Sequence, residues 1–209
     1  MPIRSAVFFD GFNMYHSLLE LDRPHLKWLD LWSVSESLLS KDETLVGVTH
    51  CTAIRTDDVD RMLRHRAYLA ALESRGVVCL KGNFADEYGD CHECGHRWSK
   101  PVEKQGDVNL AIAIIDGAHK DAFDKCYLVT ADSDQAATAR LFRERFDKKT
   151  IVSVAPPGRH HSKAILAHAH GKCGIEAGKL QLHLFAKTVK CGPKLVIRPA
   201  SYDPPEEKV

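Results

Sequence analysis

Two stretches of the chain share one pattern: an apolar run of strand length that stops abruptly in acid. Ala6-Val7-Phe8-Phe9 runs into Asp10-Gly11-Phe12-Asn13, and Cys126-Tyr127-Leu128-Val129-Thr130-Ala131 runs into Asp132-Ser133-Asp134. Short apolar runs with polar ends read as buried strands. In an open α/β sheet the C-terminal edge of the strands is where ligands bind.

The rest of the pattern fills in around them. Met14, Leu18 and Leu21 recur at helical spacing over Asn13 to Leu21, and Pro24 breaks that helix. Leu29 to Leu39 reads as a second helix and Thr44 to Ile54 as a Val/Thr/Ile-rich strand. Asp57-Asp58 opens a helix that ends near Ser74, with its acids where the macrodipole favours them, and Gly76 stops it before a strand at Val77 to Lys81. Residues 84–101 are polar, contain Tyr88, Trp98, Cys91 and Cys94, and show no helical period, so they read as an insertion folded on itself. Helices are predicted over Gln105 to His119, Gln135 to Arg145 and Ser162 to Ala169, with a strand at Thr150 to Val154. Beyond Lys179 only Leu195 to Ile197 reads as a strand, and the Pro-rich end reads as loose.

Strands alternating with helices at this rhythm predict a three-layer α/β/α sandwich around a mostly parallel sheet, with a small Cys-x-x-Cys insertion. The expected division is one domain over residues 1–170 and a C-terminal extension, 171–209, packed on it.

Composition narrows the function classes. Lys+Arg number 29 and Asp+Glu 28, so no global charge points to nucleic acid, and a nuclease would need a local basic face. No apolar run approaches a membrane span, the N-terminus does not read as a secretory signal, and the seven cysteines are odd in number and mostly scattered. A reducing, cytoplasmic setting without membrane association is expected.

The candidate chemistry is acidic. Asp10, Asp132 and Asp134 sit just past strands, and Asp107 falls in the first turn of a helix. Each alone is accounted for by helix capping or dipole compensation. Together they suit a hard divalent cation, which takes carboxylate oxygens, keeps several waters, and offsets the repulsion between close like charges. Asn13 stands beside Asp10 either to orient it or to cap the helix. Lys104 reads as surface charge, and Arg159 with His160-His161 could reach a phosphate from the loop after Pro156-Pro157-Gly158. Cys91-His92-Glu93-Cys94 presents two thiols in a tight turn, which is half of a tetrahedral zinc site.

Four segments in order then resemble one family. Phe9-Asp10-Gly11-Phe12-Asn13, Cys91-x-x-Cys94-Gly95-His96-x-Trp98, Glu103-Lys104-x-x-Asp107-Val108-Asn109-Leu110-Ala111 and Asp132-Ser133-Asp134 resemble the NYN domain, the branch of the PIN-like nuclease superfamily that includes LabA-like proteins. Val152 to Ser162, with Pro-Pro-Gly-Arg and the following Ser, is similar to that family's next block. The resemblance implies a PIN-like sandwich and Mg²⁺- or Mn²⁺-dependent endoribonuclease chemistry on RNA. It implies Asp10, Asp107, Asp132 and Asp134 as metal-binding catalytic acids with Asn13 as their polar neighbour; Lys104, Arg159 and Ser162 are the candidate substrate contacts. RNA is the implied partner, and self-association is left open.

The chain also departs from the family pattern. Ala113 stands where many relatives carry a further Asp, Ala131 replaces the Gly before Asp-Ser-Asp, and Gln135-Ala136-Ala137 replaces an apolar residue and Val-Pro. These changes keep open the alternative of an RNA- or protein-binding domain with weak or lost catalysis. A phosphatase-like hydrolase is a further rival, disfavoured because Phe12 stands where the second Asp of such a site would be.

Overall fold

The computed structural model describes residues 2–205. Its centre is a seven-stranded sheet built from β1 (Ile3–Asp10), β2 (Glu43–Ala53), β3 (Val78–Asp90), β4 (Arg97–Lys104), β5 (Lys125–Val129), β6 (Thr150–Ala155) and β7 (Gly171–Gly174). The strand order is β4-β3-β2-β1-β5-β6-β7. Every pairing is parallel except β3 with β4.

The alternation along β1 assigns the two faces. Val7 and Phe9 point to a core with Met14 and Leu18 of α1 (Gly11–Glu20), Leu31 and Val34 of α2 (Leu31–Glu36), and Leu69 and Leu72 of α3 (Val59–Ser74). Ala6 and Phe8 point the other way, to Leu110 and Ile114 of α4 (Gly106–His119), Phe142 of α5 (Ala136–Arg145) and Ile165 of α6 (Lys163–Leu166). The result is the expected α/β/α sandwich. α1 starts hard against β2: a Cβ on Gly11 would lie 2.3 Å from the Cys51 carbonyl oxygen.

The chain differs from the sequence reading in several places. Residues 84–101 continue β3 and return as β4, an antiparallel hairpin that pairs Asn83 with Lys104 through to Asp90 with Arg97. The helix predicted over Leu29 to Leu39 is the shorter α2, which starts where Asp30 caps the backbone N–H groups of Trp32 and Ser33, and an unpredicted 3₁₀ segment, Pro24–Trp28, precedes it. β7 goes unpredicted because Gly171-Lys172-Cys173-Gly174 lacks apolar alternation and gains its place only by pairing with β6. The predicted strand at Leu195 is β9 (Lys194–Ile197), which pairs with an unpredicted β8 (Thr188–Cys191). Leu180, Phe185, Val189, Val196 and Tyr202 all pack on the core that holds Val7 and Phe9. The end read as loose is therefore docked as far as Tyr202, and residues 206–209 lie outside the described residues.

Candidate functional site

The sheet winds in opposite directions from β1, towards β2 on one side and β5 on the other. That is a topological switch point, and the crevice at its C-terminal edge is the natural ligand site of such a sheet. Asp10 ends β1 there, and Asp132 follows β5 there.

Asp10 is 8% exposed and has both oxygens engaged. Oδ1 accepts the Asn13 N–H at 2.9 Å, and Oδ2 accepts the Thr130 hydroxyl at 2.8 Å. The capping reading of Asp10 thus holds, since it is the N-cap of α1, but its second oxygen reaches across to the neighbouring strand's turn. Asn13 does the same in the other direction, its Oδ1 accepting the Ala131 N–H at 3.1 Å. Thr130 Oγ1 also accepts the Asp132 N–H at 3.0 Å, and Asp132 Oδ1 accepts the Asp134 N–H at 3.0 Å. The two acidic turns are therefore cross-linked by side chains of both.

Asp107 enters from the first turn of α4, and Gln135 ties it to the Asp132 turn by donating from Nε2 to Asp107 O at 3.1 Å and Oδ1 at 3.2 Å. Glu103, the penultimate residue of β4, completes the set. A Cβ on Gly106 would fall 2.3 Å from Glu103 Oε1, so any larger residue there would have to displace that carboxylate. Glu103 Oε1 is buried without a hydrogen-bond partner, and such an orphaned acceptor needs an explanation in chemistry or bound solvent.

The electrostatics are those of acids facing each other. Burial, then the Asn13 and Thr130 donors pulling the other way, then the negative charges of Asp107 and Asp132, leave the Asp10 carboxyl above its ordinary range. Burial and the charges of Asp107 and Asp10 do the same to Glu103. Burial pushes the Cys51 thiol, beside Asp10 in the sheet, up to about 12, with Asp10, Glu103 and Asp107 adding to the push. Three groups thus report the same acidic neighbours.

The sequence-predicted residues divide accordingly. Asp10, Asn13, Asp107 and Asp132 come together, and Glu103 joins them. Asp134 is exposed in a 3₁₀ turn, where its backbone is capped by Asp132. Lys104 alternates with Glu103 along β4 and pairs with Glu87 at 2.6 Å. Arg159 pairs with Glu20 at 2.7 Å, one helix length from Asp10, about 15 Å along α1. Ser162 caps α6, accepting the Ile165 N–H. Cys91 and Cys94 sit together at the tip of the β3–β4 hairpin.

Whether the acids suit a metal can be tested on the donors. They are hard oxygen ligands with an unpartnered buried oxygen among them, which suits Mg²⁺ or Mn²⁺. Among the described residues no three His, Cys, Asp or Glu side chains form a closed cage for an ion. The fit is therefore to a cation held by one or two carboxylates and otherwise through water.

Comparison with known proteins agrees with the fold. The NYN domain family profile matches residues 4–172. The chain belongs to the NYN domain family, a family related to nucleases. It is also 27% identical, over 98% of its length and 77% of the other protein, to 6-hydroxy-3-succinoylpyridine 3-monooxygenase HspA of Pseudomonas putida. A crystal structure of a protein of unknown function from Vibrio parahaemolyticus superposes with a TM-score of 0.57 at 18% identity, covering 84% of this NYN chain and 94% of that one. That likeness concerns the fold. No helix among the described residues is long and apolar enough to cross a membrane.

Proposed function

We propose that this NYN domain is a divalent-metal-dependent endoribonuclease acting at the hollow between Asp10, Glu103, Asp107 and Asp132. The observation that carries the reading is Asp10. A carboxylate this buried, facing Asp107 and Asp132 and held above its ordinary range, is in an environment that a divalent cation would relieve. Bound by Asp10 or Asp132 and, through water, by their neighbours, Mg²⁺ or Mn²⁺ would supply an activated water and positive charge for the phosphate oxygens.

The chain's own residues do the rest. Thr130 and Asn13 fix the two acidic turns against each other, so the carboxylates need no rearrangement when substrate arrives. Gln135 holds Asp107 towards the hollow. Glu103, with its carboxyl above the ordinary range, can carry a proton between solvent and the leaving oxygen. Phosphate contacts from Lys104 or Arg159 require each to leave its present partner, Glu87 or Glu20. A cytoplasmic setting fits an RNA substrate.

A second reading rests on Gln135 and on the open arrangement of the acids. The amide already occupies Asp107 Oδ1, and no closed three-ligand set is formed among the described residues. On that reading the domain binds RNA or a protein and cuts little or nothing.

The deciding experiment incubates end-labelled single-stranded and structured RNA with the protein in Mg²⁺, Mn²⁺ or EDTA, beside the Asp132→Asn variant. Metal-dependent internal cleavage that vanishes in folded Asp132→Asn supports the nuclease. RNA retention in EDTA with no cleavage in either metal supports the binding domain. The name of the Pseudomonas relative supplies the control arm, in which 6-hydroxy-3-succinoylpyridine is offered and hydroxylated products are sought.

A further inference from the structure

The Cys91/Cys94 hairpin stands apart from the acidic chemistry. β3 outruns β2: their pairing ends at Gly82, and Asn83–Asp90 is paired with Arg97–Lys104 instead. At the rise of a strand, this arm extends about 25 Å. Its end is exposed from His92 through Lys100.

The turn at the tip is built to present sulfur. The Cys91 N–H donates to His96 O at 2.9 Å, and the Gly95 N–H donates to Cys91 O at 2.8 Å. Gly95 takes the left-handed conformation, φ 68°, that this tight return requires. Cys91 and Cys94 share this one short turn, and the backbone of Cys94 and Glu93 with the Cys94 side chain draws the Cys91 thiol below its ordinary range. Both are free. Trp98 lies flat over Gly89, where a Cβ would come within 2.6 Å of the ring, and His96 stacks on Trp98 at 6.4 Å with an 18° interplanar angle. His96 is thus held against the arm, and among the described residues no third His, Cys, Asp or Glu joins the two thiols.

We propose that the tip is half of a zinc site and that the same two cysteines of a second copy are the other half. Structural zinc takes four ligands in a tetrahedron and favours thiolates. One chain supplies two of them from a single tight turn closed by the Cys91–His96 and Gly95–Cys91 backbone bonds. A two-fold axis through the ion brings the second pair from the identical surface of another molecule, which is how closed dimers are made. The length of the arm lets two tips meet without the folded bodies colliding. On ligation each of the four thiols gives its proton to water, and the charge of the ion offsets the negative charge on sulfur.

The test uses the full chain, reduced and metal-free, titrated with Co²⁺ and then with Zn²⁺. The sulfur-to-cobalt absorption counts thiolate ligands only, so cobalt taken up by carboxylates is silent in it. The expected result is saturation at one metal per two chains, a band of four-sulfur intensity, and a doubling of mass by light scattering on adding Zn²⁺ that a chelator reverses. Cys94→Ser removes the band and the doubling with an unchanged melting temperature, while the His92→Ala/His96→Ala double variant keeps both. Saturation at one metal per chain, loss of the band in the histidine variant, or no thiolate band at all overturns the proposal. None of these outcomes depends on whether the acidic hollow cuts RNA.

Discussion

The Thr130 hydroxyl joins Asp10 to the turn that carries Asp132: it donates to Asp10 Oδ2 at 2.8 Å and accepts the Asp132 N–H at 3.0 Å. Thr130 is fully buried and its bond to Asp10 lies in the interior, whereas Asp132 is half-buried. Thr130→Val keeps the shape and removes both bonds. Leaving the buried Asp10 acceptor unpaired costs roughly 1–3 kcal/mol, with less for the half-buried Asp132 donor, and at this chain length each kcal/mol lowers the melting temperature by about 2–4 °C. The expected variant is folded, melts several degrees lower, and cuts RNA at least about tenfold more slowly through misplacement of the turn. Thr130→Ser, which keeps both bonds, should restore most of each loss. A valine variant as stable as the parent would mean the hydroxyl is not the link.

Asp10 gives a pH dependence of definite sign. Its folded-state pKa is raised above the unfolded value, chiefly by burial. Between those two values the folded state holds more protons than the unfolded one, so stability falls as pH rises through the window and stays lowered above it. Asp10→Asn removes the buried charge. It keeps an acceptor for the Asn13 N–H while losing the one for Thr130. Without divalent metal, melting curves from pH 3.5 to 8 should show the parent losing stability relative to Asp10→Asn as pH rises. Mg²⁺ or Mn²⁺ at ten times its dissociation constant should return about 1.4 kcal/mol to the parent alone. Equal metal stabilisation of both proteins would remove Asp10 from the binding set.

Much of this arrangement is readable from residues and some is not. Phe9-Asp10 and Val129 to Asp132 are legible because a buried strand must be apolar, so an acid directly after such a run marks the strand's end. The pairing of Asp10 with Asp132 follows from β1 and β5 being neighbours, a matter of strand order that periodicity does not encode. Glu103 lies within the family segment yet looks like any surface charge in a polar stretch. Its isolation depends on Gly106 closing over it, a contact between two elements. Arg159 and Ser162 show the reverse: their residue types suit a phosphate, but a partner on α1 and a helix terminus already employ them. β7 is invisible because its residues carry almost no pattern of their own.

The histidines on the opposite core make acid a second stress. Burial drives the His50 imidazole down to about 3, and burial with the charge of Lys81 drives His65 down to about 4. These folded-state values lie below the unfolded one, so the stability that neutral histidine allows is complete above about pH 6.5 and is lost as pH falls towards the folded values. His65 keeps a contact with Thr52 at 3.3 Å that a glutamine can imitate. His65→Gln should therefore flatten the loss of melting temperature between pH 6.5 and 4 while leaving values near pH 8 within a few degrees of the parent. An unchanged acid slope would assign the loss to other groups.

Glu103 separates the nuclease from the binding domain. Its Oε1 is buried and unpartnered, and its carboxyl is raised by burial and by Asp107 and Asp10. Glu103→Gln preserves the side-chain shape, removes a repelling charge from Asp10 and Asp107, and cannot carry a proton. If the residue only fills space, the variant should match or exceed the parent in stability and in RNA cleavage at every pH. If it serves proton transfer, stability still rises, but the maximum cleavage rate falls by a factor of about 10²–10⁴. The limb of the pH–rate profile that belongs to Glu103 then disappears, and RNA affinity measured in EDTA is unchanged or tighter because a negative charge has gone. The expected outcome is the second: a more stable protein that binds RNA and cuts it poorly. Melting curves, binding in EDTA and single-turnover rates across pH on one preparation distinguish the two. A variant that gains stability and keeps the full rate would leave Asp10, Asp107 and Asp132 to act without it.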